Sequence, residues 1–303
     1  DFGVRVPSGS AIRGKAWGEQ DGWRKGGPQC ILAIHGWLDN CNSFELLGPR
    51  LAAAGAYVVA IDLAGHGVSE HRGKDGGYYL WDHIDDILGV VDEFAWKTFT
   101  LLGHSTGGHL ATVFAGTYPD RVARLIALET LSSPMQFRSD EPHEVATFIR
   151  RRREMSTWGR TSRVYDSFEE AARARTNGFT KVSIEAARRL CERGLAPVLP
   201  APDPCATEAI IQGELKYAWR TDPRLTLWAY LHCPEATLLK FFAAVKCPVV
   251  VVAGRRQGVE GERAAKRLAT FEIRDKFVAE GGHYAHMEEK YVDGVADAIV
   301  RGW

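Results

Sequence analysis

The chain has 303 residues, 45% apolar and 25% charged, an ordinary globular composition that excludes collagen-like, disordered and low-complexity classes. Lys plus Arg and Asp plus Glu are 38 each, so the net charge is zero and no basic excess points to nucleic acid. At about 150 residues per domain the length suggests roughly two domains, although α/β folds often use it as one.

From the N-terminus, residues 4–6 and 11–17 read as a hairpin turning through Pro7–Ser10. Buried-strand candidates follow at Ile31–Ile34, Tyr57–Ile61, Phe99–Leu102 and Leu125–Leu128, with helical patterns near 43–54, 80–95 and 106–117. Leu80, Ile84, Ile87, Leu88 and Val91 recur at helical spacing. This alternation predicts a mostly parallel sheet with helices on both faces. After Pro134 the composition shifts. Residues 135–190 are rich in Arg and Glu and read as helices without strands; Arg150–Arg153 read as a solvated helical turn. Leu195–Cys205 holds four prolines and reads as a loop. The strand signal returns at Cys247–Ala253 and Lys276–Ala279, and a last helix is expected near 288–301. One sheet interrupted by about 110 residues implies a second small domain seated on it.

The six cysteines (Cys30, Cys41, Cys191, Cys205, Cys233 and Cys247) include no C-x-x-C pair, and no Cys/His cluster resembles a zinc site. No apolar stretch is long enough for a membrane span, no signal-peptide pattern opens the chain, and Arg301-Gly302-Trp303 matches no retention or peroxisomal signal. A reduced, cytoplasmic protein is expected, with a peroxisomal or other organellar location as the alternative, no nucleic-acid partner and no integral membrane segment; the oligomeric state is not legible.

The strongest chemical signal is Leu101-Leu102-Gly103-His104-Ser105-Thr106-Gly107-Gly108, between a predicted strand and a predicted helix. A lone G-x-S-x-G is common by chance, but this context suits a nucleophile elbow. Glycines at 103 and 107 remove side chains that would clash in a tight turn, leaving the Ser105 hydroxyl at a helix N-terminus. The alternative is a structural turn serine. A serine needs a base to take its proton. The candidate is His283, in Glu280-Gly281-Gly282-His283-Tyr284-Ala285-His286-Met287-Glu288, after the last strand candidate. His286 is the rival and is expected to begin the final helix in a structural role. An oxyanion hole needs two N–H donors. Thr106 supplies one. The second is assigned to Trp37, in His35-Gly36-Trp37-Leu38-Asp39, whose side chain either lines a pocket or simply packs.

The set HGWLDN (35–40), DLAGHGVSE (62–70), LLGHSTGG (101–108), YPDRV (118–122) and GGHYAHME (281–288) resembles the α/β-hydrolase family, and within it the serine hydrolase-like proteins. Ser43-Phe44 and the stretch Phe168–Leu195 are close to that subgroup. The resemblance implies an α/β-hydrolase core at 1–133 and 246–303, built on an eight-stranded, mostly parallel sheet. It also implies a helical cap at 134–245 and a hydrolase that needs no cofactor or metal. It makes Asp62–Ser69 a structural turn, so His66 is not carried over as catalytic.

The acid departs from the common pattern. Gln257 stands where most relatives place an Asp, and a glutamine cannot stabilise an imidazolium by charge. Two compensations are open. Glu129, in Ala127-Leu128-Glu129-Thr130, ends the preceding strand, where some family members, including haloalkane dehalogenases, place their acid. Glu260 or Glu262, further along the later loop, could reach back instead, with Glu260 ranked second. Glu129 ranks first, because a charge ending an apolar strand needs a partner and His283 would supply it. The functional expectation is a serine hydrolase of an ester-like bond (carboxylic ester or thioester) in a small, apolar substrate. Trp158, Trp219, Trp228, Phe241 and Phe242 are candidates for the pocket, or for core. Two alternatives stay open: a small-molecule receptor with a slow or vestigial triad, and a carbon–carbon bond hydrolase or lyase. Dehalogenase and epoxide-hydrolase chemistry are disfavoured, because both use a carboxylate nucleophile where Ser105 stands.

Overall fold

A computed structural model of the chain describes residues 1–19, 26–131, 142–158, 163–178, 180–198, 215–227, 233–254, 262–271 and 273–301. In chain order its strands are β1 (Phe2–Arg5), β2 (Ala11–Trp17), β3 (Gly27–Ile34), β4 (Tyr57–Asp62), β5 (Phe99–His104), β6 (Val122–Leu128), β7 (Val164–Tyr165), β8 (Leu195–Val198), β9 (Lys216–Trp219), β10 (Val249–Gly254) and β11 (Ile273–Ala279). The α-helices are α1 (Leu47–Ala53), α2 (Leu80–Glu93), α3 (Thr106–Thr117), α4 (Pro142–Trp158), α5 (Phe168–Thr176), α6 (Ile184–Gly194), α7 (Glu235–Ala244), α8 (Glu262–Leu268) and α9 (Val292–Arg301).

Among the described residues one sheet has eight strands, in the order β1-β2-β4-β3-β5-β6-β10-β11. β2 pairs antiparallel with β1 and β4, and every other pairing in this sheet is parallel. The central strands are apolar along their length because both faces are covered. Their alternation divides the core in two. Leu32, Ile34, Val59, Ile61, Leu101, Leu125 and Val251 face Ile84 and Ile87 of α2, Leu110 and Phe114 of α3 and Phe242 of α7. Ile31, Ala33, Val58, Ala60, Leu102, Ile126 and Val250 face Leu47 and Leu51 of α1 and Val292, Val295 and Ile299 of α9. Helix α3 is buried from Thr106 to Ala115, because α7 covers the side turned away from the sheet.

The segment between β6 and β10 folds differently from its sequence expectation in two places. Val164–Tyr165 is a short strand, although 135–190 reads as helices only. Leu195–Val198 is a strand rather than the start of a loop, and it pairs antiparallel with β9. The small sheet runs β7-β9-β8. These strands are two to four residues long, too short to show a period, and Pro197 is tolerated because β8 lies at an edge. Residues 199–205 lie outside the described residues, with Cys205 among them. The helices follow their start signals: Ser167 and Ser183 accept from the N–H groups of Glu170 and Ala186 at 3.1 and 3.2 Å and cap α5 and α6. Ala171, Ala172, Ala186, Ala187, Leu190 and Cys191 of these helices form a third cluster with Tyr284 and Met287. Among the described residues no helix is long and apolar enough to cross a membrane.

Candidate active site at the carboxyl edge of the sheet

Parallel strands deliver their C-terminal ends to one edge, where α/β folds gather ligand-facing groups. β5 ends at His104 and α3 starts at Thr106, so Ser105 alone makes the turn. Its φ of 53° and ψ of −117° lie in a region that side chains rarely adopt. Two features hold it there. The Ser105 N–H donates to Leu128 O at 2.9 Å, tying the turn to the end of β6. A Cβ on Gly103 would run into Gly107 O and Gly108 Cα, and one on Gly107 into Ile34 O and His35 O. The half-buried Ser105 therefore sits at the positive end of α3, whose first N–H groups have no intrahelical acceptor.

Glu129 follows β6 directly, with a left-handed φ of 54°. Its N–H donates to Val252 O at 2.8 Å, so β10 holds its backbone. One carboxylate oxygen, Oε1, accepts from Gly254 N–H. The other, Oε2, lies 3.4 Å from His283 Nδ1, and both side chains are buried. His283 sits in the loop after β11. Its carbonyl accepts from His104 Nε2 at 3.0 Å, so that nitrogen of His104 carries the proton. Burial, helped by the neighbouring His283, holds the His104 imidazole well below its ordinary range.

His286 does not begin the final helix. It lies in the single 3-10 turn Ala285–Met287, and α9 starts only at Val292. Its ring is fully buried, 4.3 Å from the His104 centroid and 5.8 Å from that of Phe44. Burial and the two nearby histidines push its pKa well down. Gly281 is left-handed at φ 109°, and the Ala285 and Met287 N–H groups donate to Gly282 O and Tyr284 O at 2.9 and 2.8 Å, so a turn rather than a helix follows His283.

The loop after β3 brings Trp37 to the same edge. Leu38 is left-handed at φ 60°, and the Asp39 N–H donates to Gly36 O at 3.2 Å, closing the turn. The Trp37 indole Nε1 donates to Leu225 O at 3.0 Å, which ties the ring to the inserted segment. Thr106 is buried at the first position of α3. The stretch 62–69 is a turn buried except at Val68: Asp62 accepts from Cys41 N at 2.8 Å and Val68 N at 2.9 Å, and Ser69 Oγ donates to Asp62 O at 2.7 Å. Gln257, Glu260 and Trp228 lie outside the described residues, as does the side chain of Trp158. Phe242 is core, stacked on Phe271 with centroids 5.0 Å apart. Phe241 packs on Trp81, and Trp219 joins the core of the inserted segment.

Sequence reasoning missed three contacts around the site. His104 lies inside the quoted motif, but only the fold shows it bracing the His283 loop. Asp39 and Tyr284 lie in quoted motifs too, yet nothing in them predicts that Arg175 of α5 bonds to both. Among the described residues no three His, Cys, Asp or Glu side chains converge to hold a metal ion.

Residues 29–290 match the family model described as "alpha/beta hydrolase fold", so the chain belongs to that family. A serine hydrolase-like protein of Dictyostelium discoideum is 28% identical over 95% of this chain and 77% of its own length. A serine hydrolase-like protein of Mus musculus is 40% identical over 49% of this chain and 44% of its own. The match thus spans less than half of some curated relatives. The crystal structure of a hypothetical protein from Pseudomonas aeruginosa PAO1 superposes with a TM-score of 0.81 at 34% identity, covering 99% of this chain and 96% of the other.

Proposed function

We propose that the chain is a serine hydrolase that cleaves an ester-like bond, carboxylic ester or thioester, through an acyl-enzyme. The observation that carries this reading is the buried Glu129 carboxylate set against His283 Nδ1 beside the strained Ser105 turn. Ser105 Oγ attacks the substrate carbonyl carbon while His283 Nε2 takes its proton. The C–O or C–S bond then breaks, and His283 returns the proton to the departing alcohol or thiol. Water attacks the acyl-enzyme by the same exchange and restores Ser105. The two oxygens of Glu129 have separate tasks. Oε1 is held by the Gly254 amide, which fixes the carboxylate, and Oε2 faces the ring nitrogen that stays protonated throughout. The backbone amides of Trp37 and Thr106 hold the tetrahedral oxyanion. Residues 134–245 act as a cap that shapes the acyl or alcohol pocket. The names borne by the relatives support the hydrolase class and leave the substrate to chemistry.

The test is labelling with a fluorophosphonate probe followed by peptide mapping, which needs no knowledge of the substrate. The adduct is expected on Ser105 alone, and turnover of a p-nitrophenyl ester is expected to vanish in Ser105→Ala. Adduct on another serine, or none, removes the reading and leaves a binding protein on a hydrolase scaffold.

A further inference from the structure

Arg175 stands in the last turn of α5, inside the inserted segment. Its guanidinium is nevertheless bonded to both loops that flank Ser105. Nη2 donates to Asp39 Oδ1 at 2.9 Å and to Tyr284 Oη at 2.8 Å, while Nη1 donates to Thr180 O at 3.1 Å. Asp39 closes the turn that carries the Trp37 amide. Tyr284 is the next residue after His283, and its ring meets the His283 ring edge-on with centroids 5.2 Å apart. The same ring lies 5.3 Å from His104, which braces the His283 carbonyl. The guanidinium also lies 5.4 Å from the Tyr284 ring centroid.

The pairing is kept from water: the Asp39 side chain is 1% exposed and that of Arg175 is 15% exposed. Two charges withdrawn from solvent hold together only when their geometry is well formed. An ordinary structural ion pair joins two elements. This one joins three, and two of them are the loops that carry the candidate oxyanion donor and the candidate base.

We propose that Arg175 is a positioning residue that clasps the 36–39 loop to the 283–284 loop and so keeps the Trp37 amide and the His283 ring at fixed spacing from Ser105. The proposal rests on the serine-hydrolase reading above. The rigid fork matters, because Nη2 meets the Asp39 carboxylate and the Tyr284 hydroxyl while Nη1 stays on Thr180 O, whereas a lysine presents a point charge on a flexible stem. The inserted segment is then part of the catalytic apparatus as well as a cover for substrate.

The experiment follows fluorophosphonate labelling over a range of probe concentrations, so that the maximal labelling rate and the half-saturating concentration are read separately. Arg175→Met is expected to lower the maximal rate about 10- to 100-fold, the scale of an ångström-sized misplacement. The half-saturating concentration is expected to stay within about twofold. Arg175→Lys should recover part of the rate. Tyr284→Phe, which removes one hydroxyl and keeps the ring, should lower the rate about threefold. A folded Arg175→Met that labels at the wild-type maximal rate overturns the proposal. So does a raised half-saturating concentration at an unchanged rate, because Arg175 would then be reading ligand. If Arg175→Met fails to fold, Tyr284→Phe decides, and a wild-type rate there overturns the clasp. A wild-type chain that takes no label removes the hydrolase reading and this proposal together, whereas label on wild type with no effect in the variants removes only the clasp.

Discussion

Leu38, Ser105 and Glu129 all have the positive φ that side chains avoid, and each directly follows or lies near the end of a strand at one edge of the sheet. Such strain persists only where neighbours over-determine it, and it concentrates at working sites. Gly107 is one such neighbour. A methyl group there would meet the carbonyls of Ile34 and His35, both backbone and unable to swing aside. Gly107→Ala is expected to destabilise the fold by about 2 kcal/mol or more, read as a lowered urea midpoint; an unchanged midpoint would show that the elbow has slack. Glu129 carries the sharper prediction. Glu129→Gln keeps shape but removes the charge facing the imidazolium, and in the serine-protease triad a comparable change lowers kcat about 10⁴-fold. A large fall in ester turnover is expected for Glu129→Gln and a small one for Glu260→Gln; the reverse order moves the acid to the later loop. At this scale the candidate residues that motifs mark are legible, because a serine between glycines and a carboxylate ending an apolar strand each violate a local rule. Arg175 is not. It is one arginine in an arginine-rich stretch, and the two site residues it bonds, Tyr284 and Asp39, lie 109 and 136 residues away.

Helix α6 shows how an element is anchored by polar groups its own sequence cannot explain. Arg193 Nε donates to Asp62 Oδ2 at 2.7 Å, and the carboxylate is fully buried. Asn40 Nδ2 and Asn42 Nδ2 donate to the carbonyls of Leu190 and Arg189 at 2.9 and 2.8 Å. Truncating one partner of a buried ion pair leaves the other charge stranded, so Arg193→Met is expected to cost about 3–5 kcal/mol. Thermal unfolding checks this, and a shift comparable to a surface substitution would mean that the two backbone amides on Asp62 suffice. Element by element, the strong periods are legible: α2 and α3 begin within a residue of their patterns, and the β1–β2 hairpin turns where Pro7–Ser10 predicts. The β7-β9-β8 sheet is not, since strands of that length carry no period and their pairing joins residues far apart in sequence.

The molecule as a whole encloses more imidazole than it can protonate. Burial is the leading cause that lowers the pKa of His35, His66, His83, His104 and His286, with His83 pushed down to about 3. The sign follows directly. As pH falls through the ordinary value of 6.5, the unfolded chain binds a proton at each of these rings and the native chain does not. Stability is therefore fully present above 6.5 and is lost below it, at up to about 1.4 kcal/mol per pH unit for each ring. Asp86 acts in the opposite sense, because burial raises its carboxyl from 3.8 to about 6, so its native form keeps a proton that the unfolded chain releases. It offsets one ring of the set, and only below about pH 6. Melting temperatures should stay nearly level from about pH 7.5 to about pH 6.5 and fall from there to about pH 5.5; a series that is flat or rising below about pH 6.5 would mean that these rings reach solvent in the native state.

The pairing of β10 with β6 has a consequence for how the chain is made. Leu125, Ile126, Ala127 and Leu128 wait for Val249, Val250, Val251 and Val252, which leave the ribosome only after the whole inserted segment. At translation speeds of about 5–20 residues per second, that edge stays open for on the order of ten seconds. An open apolar strand is a template for the wrong partner. Glu129 faces the same delay, since Gly254 ends β10 and His283 lies beyond it. A nascent chain therefore passes through an interval in which the Ser105 turn has its sequence but neither acid nor base is in place, and chaperone demand should peak during that interval.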